Sequence, residues 1–176
     1  MKQSVSRLAL LALSANLLGA PPALAHAGKA HVHGAGKMQV VVDGNALSIR
    51  IEAPLHDLVG FEHVPRTDRQ RSAAKQALDR FNQGETLFTP SSAAQCRLGS
   101  TRVEAPVLQG GQDTGDGHAD LVAEYLFSCA QPTHLTGMEV RLATHFPGLR
   151  RIDAEVVSAR GQQATRLTPR MRMLAW

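Results

Sequence analysis

The segment from Ala119 to Cys129 constrains the fold more than any other part of the sequence, because apolar residues alternate along its whole length. Successive side chains of a β-strand point to opposite faces, so this spacing predicts a strand with one buried face and one face toward solvent. Strands buried on one side only are typical of antiparallel sheets. The positions predicted to be buried are Leu121, Ala123, Tyr125, Phe127 and Cys129.

Shorter segments with strand character lie on both sides of this one. Leu47 to Glu52 alternates in the same way, and the preceding Asp43-Gly44-Asn45 is a typical hairpin turn. Residues 97–107 are predicted to form a strand in which Val103, Ala105 and Val107 are aligned. The remaining predicted strands are 38–42, 138–142, 152–158 and 163–167.

One segment has helical periodicity instead. Thr67 begins it, with Gln70 three residues later as in a capping box, and Gly84 is placed to end it. Residues 55–66 are predicted to be a compact apolar loop or short turn. The sequence therefore predicts an α+β fold, with one main helix and an antiparallel sheet or sheets of six to seven strands, and the alternative is a β-sandwich. The apolar stripe of the helix is Ala74, Ala77, Leu78 and Phe81.

The beginning of the chain predicts export. Lys2 and Arg7 precede a Leu/Ala-rich run over residues 8–18, and Ala23-Leu24-Ala25 supplies small residues for cleavage before His26. The run is too short to span a bilayer comfortably, so we expect no membrane insertion after cleavage. The predicted organisation is a signal peptide over 1–25, a flexible His/Gly-rich segment over 26–36 and one metal-binding domain over 37–176.

Charge argues against a polyanion as partner. The full chain has a formal net charge of +4, and two of its positive charges lie in the predicted signal peptide. The arginines near the C-terminus are spread out without aromatic residues between them, so we expect no nucleic-acid binding. The two cysteines, Cys96 and Cys129, predict one disulfide in an exported protein, with a soft-metal thiolate pair as the alternative.

Histidines are concentrated near the predicted mature N-terminus, where His26, His31 and His33 lie within eight residues. In an extended segment His31 and His33 would point the same way, about 6.5–7 Å apart, and could close on one metal ion. Neutral imidazole suits zinc, copper or nickel. The alternative is a solvated tail with no ligand role.

Two more groups combine imidazole with carboxylate, a typical zinc donor set. Glu62 and His63 are polar residues within an apolar loop, and His118 and Asp120 share a predicted strand face. The alternatives are a local hydrogen bond or helix cap for His63, and an ordinary polar surface for His118 and Asp120. The other histidines, His56, His134 and His145, are predicted to be surface or core residues.

Several motifs together resemble the ZrgA-like family of periplasmic zinc-binding proteins. The resemblance implies a periplasmic protein that binds Zn(II) and supports zinc uptake, holding the metal for a zinc ABC importer or its solute-binding protein. The motifs run from about residue 31 to residue 176: HVHGAGKMQVVVDGNALSIRIEAP, LVGFEHVPRT, RVEAP after the first cysteine, HADLVAEYLFSCAQP, FPGLRRIDAEVV and LTPRMRMLAW.

The resemblance also implies site residues by position. The family usually carries a long His/Asp/Glu-rich loop before the central strand, whereas this chain has only QGGQDTGDGH, so one ordered site or a few fit better than high-capacity storage. Asp120 is added to the metal candidates from its place beside His118, and His26 is a weaker candidate. The matching positions are His31 and His33 (HxH), Glu62 and His63 (GFEH), His118 (end of the loop) and Cys96 with Cys129 (the cysteine pair).

Two other functions are consistent with the residues. A copper carrier would chelate Cu(II) through the amine and imidazole of His26, with Met171 and Met173 as thioether ligands for Cu(I). The favoured interpretation of RMRMLAW is instead a final strand whose Met and Trp side chains are in the core. A non-metal interaction module of the envelope is the other alternative. The chain has no GxSxG, HExxH or phosphate-binding Gly loop, which predicts that it is not an enzyme.

Overall fold

The computed structural model describes residues 32–112 and 118–176, and this part of the chain is rich in sheet. Its strands are β1 (Ala35–Asp43), β2 (Ala46–Pro54), β3 (Phe88–Pro90), β4 (Cys96–Glu104), β5 (Asp120–Cys129), β6 (Gly137–Val140), β7 (Arg151–Ser158), β8 (Gly161–Leu167) and β9 (Met173–Ala175). Its helices are α1 (Leu55–Val59), α2 (Asp68–Asn82), α3 (Gly84–Leu87) and α4 (Leu142–His145), with 3-10 turns at Ser92–Ala94 and Pro132–His134. None of these helices is long and apolar enough to cross a membrane.

The strands form two sheets. Six of them pair in the order β4-β5-β2-β1-β7-β8, and β3-β6-β9 form a smaller sheet. All pairings are antiparallel except that of β1 with β7, which run parallel from Ala35 opposite Arg151. The prediction of an antiparallel sheet is therefore wrong for this pair. Parallel neighbours need a long crossover connection, and here the chain from the end of β1 to the start of β7, which includes β2, supplies it.

The helix prediction is only partly correct. α2 begins as predicted: the Thr67 hydroxyl accepts a hydrogen bond from the Gln70 amide, and the Gln70 side chain accepts one from the Thr67 amide. It buries Ala74, Ala77 and Phe81 against the sheet. Three further short helices accompany it in the described residues, so the fold does not have a single helix.

Several predicted boundaries shift. The loop predicted over 55–66 begins with α1, because Leu55 is buried and its amide donates to the Ala119 carbonyl at 2.8 Å. β1 starts at Ala35, so the last two residues of the segment predicted to be flexible belong to the sheet. β4 ends at Glu104, and Ala105 and Val107 are buried in the turns that follow.

The C-terminal segment departs from its predicted packing. Met171 is 57% exposed and Met173 is 63% exposed, so neither lies in the core. Leu174 is the buried residue of β9, and the Trp176 indole donates to the Leu135 carbonyl at 3.1 Å. The interpretation of the two methionines as core residues is therefore wrong, because β9 buries the position between Met173 and Ala175 and turns Met173 toward solvent.

The predicted disulfide is present and joins two neighbouring strands. Cys96 at the start of β4 lies directly opposite Cys129 at the end of β5, and their sulfur atoms are bonded. β4 is an edge strand of the larger sheet, so the bond fixes this edge covalently to its neighbour. The alternative of a free thiolate pair does not hold in this structure.

The centre of the core contains the only tyrosine of the chain, Tyr125. Its hydroxyl donates a buried hydrogen bond of 2.7 Å to the Phe81 carbonyl, near the C-terminus of α2. Its ring packs beside that of Phe88, with the ring centroids 4.9 Å apart. The tyrosine thus satisfies a carbonyl at the end of the helix, where the backbone lacks an intrahelical partner.

Tyr125 predicts a loss of stability in alkali. Burial raises the pKa of Tyr125 above its usual value near 10. Above about pH 10 the unfolded chain loses this proton while the folded chain keeps it, so the free energy of unfolding falls by up to about 1.4 kcal/mol per pH unit. Because no other tyrosine is present, tyrosinate absorbance reports Tyr125 alone. We expect no such absorbance until the protein unfolds, and titration of the folded protein near pH 10 would contradict this. Tyr125→Phe, the control, should weaken the alkaline dependence.

Candidate metal centre

Most of the predicted ligands that the structure describes lie at one end of the six-stranded sheet. β2 ends at Pro54, which pairs with Asp120, the first residue of β5. β1 begins beside the start of β7, so the residues before β1 come to this same end. We call it the α1 end, and it comprises residues 32–34, 55–64 and 118–120.

The first pair at the α1 end is Glu62 with His118. Glu62 Oε2 lies 3.6 Å from His118 Nδ1. The Glu62 side chain is only 12% exposed, whereas that of His118 is 50% exposed. Glu62 Oε1 is buried and has no hydrogen-bond partner within the described residues. Burying a carboxylate oxygen without a partner is costly, and a bound cation would supply the missing interaction.

His63 and Asp120 are the other two residues predicted for this part of the site. His63 makes a local hydrogen bond. Its Nδ1–H donates to the Val64 carbonyl at 2.9 Å, and its ring lies 5.2 Å from that of Phe61. This bond leaves Nε2 as the nitrogen with a lone pair. Asp120 is partly buried at the first position of β5, two residues after His118. A metal role for either residue stays a prediction.

The second pair at the α1 end is His33 with His56. Their rings are stacked, with the centroids 4.5 Å apart and the planes inclined by 13°. His33 lies in a turn closed by a 3.1 Å hydrogen bond from the Ala35 amide to the Val32 carbonyl, so the extended conformation predicted for this segment is wrong at His33. Gly34 completes the turn with a φ of +82°, a conformation that glycine adopts without strain.

Asp57 fixes this second pair. Its Oδ2 accepts a buried hydrogen bond of 2.6 Å from the Gly34 amide, and its Oδ1 lies 3.5 Å from His56 Nδ1. Behind it, a Cβ at Gly148 would lie 2.2 Å from the Asp57 carbonyl oxygen, so only glycine fits there. The hydrogen bond from Gly34 to Asp57 therefore holds the turn against α1.

Sequence reasoning missed His56 and Asp57. Neither residue has a neighbour at a metal-ligand spacing, and their partners His33 and Gly34 lie more than twenty residues earlier in the chain. Only the fold of β1 and β2 brings the two segments together. The predicted hairpin was an available signal, because its register, continued outward from Lys37 opposite Glu52, places His33 opposite His56.

Several predicted residues fall outside the described part. His31 and the weaker candidate His26 lie outside it, so their metal roles stay predictions. Within residues 32–112 and 118–176, no group of three or more His, Cys, Asp or Glu side chains is arranged to hold a metal ion. What the described residues provide is two separate contacts, Glu62 with His118 and His33 with His56.

Comparison with known families decides which class of protein this is. The family model described as ZrgA family zinc uptake protein matches residues 30–176. The chain belongs to the ZrgA family. The match includes every described residue, so both pairs at the α1 end lie inside the family region, and the resemblance read from the motifs is confirmed. No curated protein matches the sequence. As a ZrgA family member, the chain is associated with zinc uptake.

Proposed function

We propose that this protein is a periplasmic zinc-binding protein that takes up Zn(II) at the α1 end and holds it for an importer. The observation that carries the proposal is the buried Glu62 carboxylate, one oxygen of which faces His118 while the other has no hydrogen-bond partner in the described residues. Family membership supports zinc as the metal. The predicted signal peptide over residues 1–25 supports export.

The donor chemistry supports zinc as well. Imidazole nitrogen and carboxylate oxygen are both common zinc ligands. The His118 side chain is half-exposed, so an ion bound to it would remain accessible to solvent. An accessible ion is easier to pass on than one enclosed by four protein ligands, as in structural zinc sites. The partner we propose is a zinc ABC importer or its solute-binding protein.

The proposed set of candidate ligands consists of the residues predicted from the sequence, which outnumber the four positions around one tetrahedral zinc ion. Glu62 and His118 form its centre, and a proton on either residue would have to leave before zinc binds. The proposal assigns no catalytic step to any of them, so the protein acts by binding and not as an enzyme. The residues that complete the set are His31, His33, His63 and Asp120.

Zinc binding by the purified mature protein tests this function. Metal-free protein is offered Zn(II) in the presence of a chromophoric chelator of known affinity, and the bound metal is counted by native mass spectrometry. We expect at least one Zn(II) per chain at micromolar free zinc. A protein that takes up no zinc at this concentration would contradict the proposal.

Copper binding is the second candidate, and one structural observation favours it. Met171 and Met173 are exposed, and thioethers at a surface are available to Cu(I). The same mass spectra, recorded after an equimolar offer of Zn(II) and Cu(I), separate the two candidates. Zinc retained in preference to copper supports the zinc function. Copper retained by the wild type and lost in Met171→Leu with Met173→Leu would replace it.

A further inference from the structure

We propose that His56 is a zinc ligand that acts together with His33, and that Asp57 is the residue that positions His56 for this role. The inference rests on the proposed function, since it assumes that zinc is the cargo. It adds a ligand that neither the motifs nor the spacing of the sequence indicates. The observation behind it is the parallel stack of the two exposed imidazole rings.

The stack is built into the backbone. Gly34 directly follows His33, and Asp57 directly follows His56. The buried 2.6 Å hydrogen bond from the Gly34 amide to Asp57 Oδ2 therefore joins the residues next to the two histidines. The carbonyl of Gly34 is held as well, since it accepts hydrogen bonds of 3.0 Å from the amides of Arg150 and Arg151. Two exposed rings are thus kept together by a bond that does not depend on the rings themselves.

The orientation of His56 is suited to a ligand. Its Nδ1 faces Asp57 Oδ1 at 3.5 Å, an arrangement that directs the Nδ1–H toward the carboxylate. The lone pair then lies on Nε2, on the opposite side of the ring. Metal-binding histidines commonly direct their second nitrogen to a carboxylate in this way, which fixes the tautomer and the plane of the ring. The His56 side chain is 51% exposed, so Nε2 is accessible from solvent.

The spacing of the rings is compatible with one shared ion. Zinc binds imidazole nitrogen at about 2.0–2.1 Å, so two nitrogens on a tetrahedral ion lie about 3.3 Å apart. The lone pairs lie in the ring planes, which are inclined by only 13°, so the two rings must rotate out of the stack for both nitrogens to reach one ion. Water would occupy the remaining positions.

Nitrogen NMR of the histidine side chains tests this inference. Long-range ¹H–¹⁵N spectra of ¹⁵N-labelled protein are recorded during zinc addition to the wild type, to His56→Ala and to Asp57→Asn. We expect the Nε2 signals of His33 and His56 to shift on zinc binding. His134, which lies beyond the opposite end of β5, provides the matched control and should not shift. In His56→Ala we expect the zinc-dependent shift of His33 to need at least tenfold more zinc.

Asp57→Asn separates positioning from folding. An amide in place of the carboxylate should change the tautomer of His56 in the metal-free protein and weaken zinc binding at this pair by about 10–100-fold. A merely structural role would lower stability without changing the tautomer. His56→Ala replaces a half-exposed side chain, so it keeps the test valid if Asp57→Asn does not fold.

The outcomes distinguish this inference from the function on which it rests. A wild type that binds zinc with no change in the His56 signals, and a His56→Ala variant with unaltered zinc affinity, would overturn the inference and leave the proposed function standing. A wild type that binds no zinc would overturn both. Shifts of His33 and His56 that are lost in the variant would support the inference.

Discussion

Replacing Glu62 with Gln and His118 with Ala together lowers zinc affinity by about 100-fold or more. Residues that merely support a metal ligand commonly contribute 10–100-fold to affinity, and these two supply the donor atoms themselves in our proposal. Glu62→Gln removes the charge with almost no change in shape, and His118→Ala removes the half-exposed imidazole beside it. Chelator competition with metal-free protein measures the loss.

The controls for this prediction come from other parts of the same chain. Glu124→Gln changes an exposed glutamate on the solvent side of β5, where its Oε1 accepts a 2.7 Å hydrogen bond from Arg50. His134→Ala removes an exposed histidine beyond the far end of that strand. Neither substitution should change zinc affinity by more than about twofold. Equal losses in the controls and in the double variant would mean that the zinc lies elsewhere.

Glu62→Gln alone should affect zinc affinity and the free energy of unfolding differently. A buried carboxylate oxygen without a hydrogen-bond partner destabilises the metal-free fold, so Glu62→Gln should not lower its free energy of unfolding. We therefore expect this variant to bind zinc weakly while remaining as stable as the metal-free wild type. Added zinc should stabilise the wild type much more than the variant, because a ligand that binds only the folded state raises the free energy of unfolding.

Removing the disulfide by Cys96→Ala with Cys129→Ala lowers the free energy of unfolding by about 3–4 kcal/mol. The bond closes a loop with a sequence separation of 33, and the chain-entropy model gives a stabilisation of this size for such a loop. Urea denaturation of the double variant measures the change. Reduced wild-type protein provides the comparison and should show a similar loss, since it lacks the same constraint.

Zinc affinity should respond differently to the loss of the disulfide. Cys129 ends β5, whereas His118 precedes the start of this strand, so the bond and the proposed site lie at opposite ends of the sheet. Under conditions where the double variant is folded, we expect its zinc affinity to stay within about twofold of the wild type. A stability loss below about 1 kcal/mol would contradict the first expectation, and a large loss of zinc binding would contradict the second.

Strands such as β5 and β2 could be predicted because apolar and polar residues alternate within each of them. Apolar alternation identified β5 to within one residue and the central six residues of β2, and the capping pair Thr67 and Gln70 located the start of α2. The helix α1 could not be predicted in the same way. It spans only five residues, too few to show a repeating helical pattern of apolar residues. Its position depends on the hydrogen bond between Leu55 and Ala119.

Long-range pairing accounts for the other differences. β1 and β7 each bury mainly one face, a pattern typical of antiparallel strands, so their parallel pairing was not apparent from the sequence. The stacking of His33 on His56 depends instead on the antiparallel pairing of β1 with β2, which carries the two histidines to one end of the sheet. Glu62 and His118 were each predicted as ligands by the motif resemblance, but only the structure places them in contact.

The most direct test of the central claim is the position of the metal itself. Crystals of the zinc-loaded mature protein are measured at X-ray energies above and below the zinc absorption edge, and the difference map locates the ion. Our account predicts a zinc peak at the α1 end, about 2.0–2.2 Å from a Glu62 oxygen and a His118 nitrogen. A zinc ion located only at other residues, with none at Glu62 and His118, would contradict it.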